Sequence, residues 1–127
     1  MVASYKNRLT QGTAAGGHSP AATVALRQAF VLRGDVEGLT DEIPQLVPLL
    51  LEVRAQVVRF FGPDVPVVLE LVQNPEAADA LPELFAYIQT RLPVPEAKAR
   101  LEKLDEQWWL DALARGDGRL NVALEYV

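Results

Sequence analysis

The chain has 127 residues, half of them hydrophobic, and a formal net charge of −5. That length fits one domain whose folding buries roughly two-thirds of the unfolded surface. Cysteine is absent, which excludes disulfides, thiolate metal sites and a cysteine nucleophile. An acidic balance with scattered arginines opposes nucleic-acid binding, which draws its affinity from neutralising phosphates. The longest apolar stretch, Leu46 to Val53, is broken by Pro48 and Glu52 and is too short to cross a bilayer. The opening residues lack the apolar run of a signal peptide. A cytoplasmic protein with no membrane association is therefore expected, and the excess of arginine over lysine fits the coding bias of a GC-rich bacterial genome.

Residues 1–18 carry no periodicity and nothing large to bury, so a flexible N-terminal segment is expected ahead of a single α+β domain over 19–127. Ser19-Pro20 supplies a hydroxyl cap followed by proline at the first helical position. Ala22, Leu26, Ala29, Phe30 and Arg33 then share one face, and Gly34 is placed to end the helix. A competing reading makes Ala29–Arg33 a short strand. Gly34 to Gly38 reads as an acidic turn. A second helix is expected from Thr40 or Asp41 to Phe61, with Ile43, Val47, Leu50, Arg54, Val57 and Phe61 on one face. Pro48 removes a hydrogen bond there, so it should kink that helix or delay its start.

Val65 to Val72 is rich in β-branched residues, with Val65, Val67, Leu69 and Leu71 alternating. Pro66 places it at a strand beginning or a sheet edge. After an acidic loop, Leu84, Ala86 and Ile88 alternate in a returning strand. Pro93 and Pro95 open a last helix built on Leu101, Leu104 and Trp108. Gly116-Asp117-Gly118 is turn chemistry, and Leu120–Tyr126 alternates as a final strand. The core order is thus helix, strand, strand, helix, strand. It predicts a two-layer sandwich with a small antiparallel sheet of about three strands, covered on one face by helices. Right-handed crossovers would lay the last strand beside the first of the hairpin. If Ala29–Arg33 is a strand, the alternative is a ferredoxin-like βαββαβ arrangement.

Chemistry is harder to place than fold. His18 is the sole histidine and sits in a glycine-rich stretch without a partner to position it as a base. No phosphate-binding glycine loop and no calcium-loop spacing is present. Glu102, Asp105, Glu106 and Asp111 spread around their helix at about 100° per residue, so they do not converge on one point. No cofactor and no catalytic residue is assigned.

Two surfaces remain. On a regular helix Trp108 faces the sheet and Trp109 points outward, beside Leu113, Glu106 and Glu102. An exposed tryptophan ringed by acids has the composition of a protein-contact site. Alternation also puts Glu70, Tyr87 and Glu125 together on the sheet face away from the helices, as a possible ligand face. The expected function is that of a small acidic protein-interaction module. It would self-associate, or mask a partner protein in the manner of an antitoxin or inhibitor. The alternative is a carboxylate-based metal-dependent or ligand-binding enzyme that uses the open sheet face.

Overall fold

The structure is a computed structural model that describes residues 20–73, 76 and 81–127. The expectations for 1–18 and for His18 lie outside these residues. Helix α1 (Pro20–Ala29) opens on its proline as read from sequence, but it stops at Ala29 rather than at Gly34. Val31–Arg33 is strand β1, so the competing reading of this segment holds. Gly34 then turns the chain with φ +81°, a conformation that glycine adopts without steric penalty.

The segment read as an acidic turn is the start of helix α2 (Val36–Glu42). Its cap is Asp35, whose side chain accepts a 3.0 Å hydrogen bond from Gly38 N–H. The expected single helix to Phe61 is therefore two. It breaks at Ile43–Gln45, and α3 runs Leu46–Phe61. Pro48 now occupies the first turn of α3, where its absent N–H costs no helical bond. Gly62 ends α3 with φ +101°, its N–H donating to the Val58 carbonyl.

Strands β2 (Val67–Val72) and β3 (Glu83–Thr90) form an antiparallel pair. Pro66 lies just before β2, where no ladder bond is lost. Helix α4 (Val94–Leu104) continues through a π-helical turn (Asp105–Trp109), a last α-turn (Leu110–Ala112) and a 3₁₀ turn (Leu113–Gly116). Asp117 follows in the left-handed region, and β4 spans Leu120–Tyr126.

Among the described residues the sheet has four strands in the order β1-β2-β3-β4 and is mixed. β1 is parallel to β2, and β4 is parallel to β3. The α+β class and the two-layer sandwich hold, whereas the expected three-stranded antiparallel sheet does not. β1 occupies the outer edge of β2, so the returning β4 has to take the edge of β3. Each parallel pair is adjacent, so no strand is interleaved as a split, ferredoxin-like arrangement would require. A geometric consequence follows. α3 and α4 pack into one core over the same sheet face, while β2 and β3 run oppositely. The two crossovers therefore have opposite hands, and one breaks the usual right-handed rule.

That core is where the two layers meet. α3 supplies Leu46, Leu49, Leu50, Val53, Val57 and Phe61, α1 supplies Leu26 with Phe30 just after it, and α4 supplies Leu104. Val67 and Leu69 of β2, Leu84, Ala86 and Ile88 of β3, and Leu120 of β4 face them. The strict alternation along β3 between buried and half-buried residues is the signature of a sheet covered on one side.

Candidate interaction surface: the open sheet face

Because side chains alternate along a strand, the residues between the core positions point away from the helices. The register aligns Val31, Val68, Tyr87 and Ala123 in one row, and Arg33, Glu70, Phe85 and Asn121 in the next. Gln89 and Glu125 pair in a third. Glu70, Tyr87 and Glu125 thus share this face, as alternation predicts.

One arginine bridges the two carboxylates. Arg33 Nη1 reaches both, at 3.3 Å from Glu70 Oε1 and 3.3 Å from Glu125 Oε2. Gln89 Nε2 donates to the other Glu125 oxygen at 2.8 Å. The Gln89 bond, with Arg33 behind it, holds the Glu125 carboxyl below its ordinary range, and the two carboxylates in turn raise the Arg33 guanidinium. Arg33 lies on one edge strand and Glu125 on the other, so this bridge has to cross the middle strands. It passes the row of Val68, which is only 1 % exposed although it faces away from the core. Phe85 and Tyr87 stack beside it, with ring centroids 5.6 Å apart and planes 15° apart. The face sets Arg33 against the carboxylates of Glu70, Glu83 and Glu125 and carries an aromatic pair near its centre.

Helical periodicity puts Arg33 at the end of a helix, whereas the parity of Val31 and Arg33 in a strand is the signal that places it on this face.

The tryptophan pair is the main correction. Trp109 is 7 % exposed and belongs to the core, whereas Trp108 is half-buried at the surface. The π-helical turn Asp105–Trp109 is the cause. A π turn accommodates one extra residue, so the next core position after Leu104 falls five residues on, at Trp109, instead of four on, at Trp108. Glu52 of α3 takes two bonds from Arg115, at 2.9 and 2.5 Å. Glu102 and Glu106 remain exposed, and Leu113 is 43 % exposed. These three keep their places on the surface but have lost the tryptophan that was to anchor them. Burial, with Glu102 and Glu106 adding repulsion, pushes the Asp105 carboxyl up.

At the end of the sheet where β3 and β4 finish lies a cleft of about 740 Å³, lined by residues that include Phe61, Asp64, Gln89, Thr90, Arg91 and Leu92. Its hydroxyl, on Thr90, accepts from Leu92 N–H at 3.1 Å. Among the described residues no three or more histidine or acidic side chains come together to hold a metal ion, and no helix is long and apolar enough to cross a membrane.

The class these observations define is a two-layer α+β sandwich with a mixed, one-side-open sheet. Compared with protein-family models, with curated proteins and with solved structures, the chain matches none.

Proposed function

We propose that this chain is a protein-interaction module that covers a partner protein with the open face of its sheet, as an inhibitor or antitoxin does. The observation that supports this reading is the Arg33 bridge. It ties Glu70 and Glu125 together beside the Phe85–Tyr87 stack. Surfaces with an aromatic centre and a polar rim suit protein contacts.

The test uses the double variant Arg33→Glu/Tyr87→Ala. Both side chains lie on the open face away from the core, so the variant should still fold. Wild type and variant, checked for equal far-ultraviolet circular dichroism, are used as baits in extract of the source cells. A protein retained by wild type and lost from the variant supports the reading. Identical retention by both removes the open face as the contact surface.

A second reading rests on the cleft at the ends of β3 and β4. Its volume falls in the range of small-molecule sites, and its lining mixes apolar walls with a few polar groups. Arg91 would select acids. A small carboxylic acid that raises the melting temperature of wild type but not of Arg91→Ala would support it.

A further inference from the structure

Helix α3 is apolar on two opposite faces. Its inner face builds the core, as described above. Its outer stripe is Pro48, Leu51, Ala55 and Val58, all exposed, with Leu51 at 37 % and Val58 at 39 %. These four recur at spacings of three, four and three residues, which is one continuous line along an α-helix. The solvent-facing line of a surface helix is normally polar. The charged residues of α3 are Glu52, Arg54 and Arg59, and none lies on this line. Arg54 is turned aside onto the carbonyls of Val65 and Pro63, each at 3.1 Å.

We propose that this stripe is the interface of a two-fold dimer in which α3 packs antiparallel against α3 of a second copy. The evidence for a second copy, over any other cover, is that the stripe is self-complementary in charge as well as in shape. Glu52 and Arg59 lie on the same flank of the stripe, both about 40–60° round from Ala55. In an antiparallel two-fold pair each flank meets itself. Setting Ala55 near the axis brings Glu52 level with Arg59 of the partner subunit, twice over, and Leu51 level with Val58 of the partner subunit. A register slipped by about one turn toward the N-terminus would place the two Glu52 side chains opposite each other. Ala55 at the axis also allows close approach, within the roughly 8–10 Å of packed helices. Glu52 is already held by Arg115 and Arg59 by the Gln107 side chain at 3.1 Å. Both charges are thus positioned before contact, and the new pair extends a network rather than starting one.

This inference stands apart from the proposed partner surface, which is on the other side of the molecule. Sedimentation velocity from micromolar to millimolar protein tests it, with circular dichroism and melting temperature as folding controls. Wild type should sediment as a dimer at the upper concentrations, and Ala55→Glu and Val58→Lys as folded monomers. Glu52→Arg or Arg59→Glu alone should weaken association by roughly tenfold or more, as expected for bringing like charges together in an interface. The combined Glu52→Arg/Arg59→Glu variant should recover it. The exchange does not restore the bonds of Glu52 to Arg115, so recovered assembly reports the intermolecular pair alone. A wild-type monomer at millimolar concentration, a dimer that survives both Ala55→Glu and Val58→Lys, or no recovery in the double variant would each overturn the proposal. The Arg33→Glu/Tyr87→Ala protein should dimerise as wild type does, which separates failure here from failure of the partner surface.

Discussion

Two neighbouring tryptophans carry unequal structural weight. Trp109 fills the core together with Leu104 and Ala112, and Trp108 is half-buried at the surface. Trp109→Ala should therefore lower stability by about 3–5 kcal/mol, the usual cost of emptying a buried aromatic site. Trp108→Ala should cost clearly less, and denaturant melts of the two variants order them directly. Equal losses would mean that the wide turn does not set their placement. Asp105, at the start of that turn, offers a test with a pH axis. Burial and two neighbouring acids raise its carboxyl above the unfolded value. Its ionised form is thus disfavoured in the folded state, and this costs stability above the folded pKa. Below the unfolded carboxylate value, about 3.9, both states hold the proton and the cost is gone. Asp105→Asn should melt higher than wild type at neutral pH, with the gain shrinking to nothing as pH falls. A gain that is constant with pH would point to packing instead of charge.

At the scale of elements, the lesson is how one residue changes the face that a helix presents. From Ala97 through Leu101 to Leu104 the buried and half-buried positions follow ordinary helical spacing. They resume at Trp109, Ala112 and Gly116. One added residue between the two runs rotates everything after it by about 100°. Periodicity counted from Leu101 could not reveal this, because Trp108 and Trp109 are equally good core residues and the sequence offers two for one place. Deleting Gln107 should convert the π turn to regular α-helix while Trp109 stays in the core, four residues after Leu104. The deletion variant should keep its near-ultraviolet circular dichroism and melt within a few degrees of wild type, losing mainly the bond to Arg59. Loss of the tertiary signal would show that the wide turn is required by its surroundings. The strand β1 was legible only as an alternative, since three residues are too few for a period to show. Its consequences are large, because it supplies Arg33 and closes one edge of the sheet.

For the molecule as a whole, one face of the sheet is spent on the core and two surfaces remain with specific character. The open sheet face carries a bridge that joins its two edge strands, and the outer side of α3 is apolar where a helix exposed to water is polar. Both are properties of pairs and rows, not of single positions. Local pattern determined a good deal. Alternation placed Leu84, Ala86 and Ile88 inward and Glu70, Tyr87 and Glu125 outward, and it bounded β4 to the residue. Proline and glycine marked the start of α1 and the end of α3, because their backbone restrictions act within a turn. The sequence by itself therefore determined the α+β class, the strand faces and the element ends that proline, glycine or alternation marks. Tertiary structure alone decided the strand order, since β1 takes the edge that β4 would otherwise use. It also decided the inward turn of Trp109 and the meeting of Arg33 with Glu125, 92 residues apart. Those outcomes depend on which segments compete for one edge or one cavity, and that competition is settled only when the layers pack.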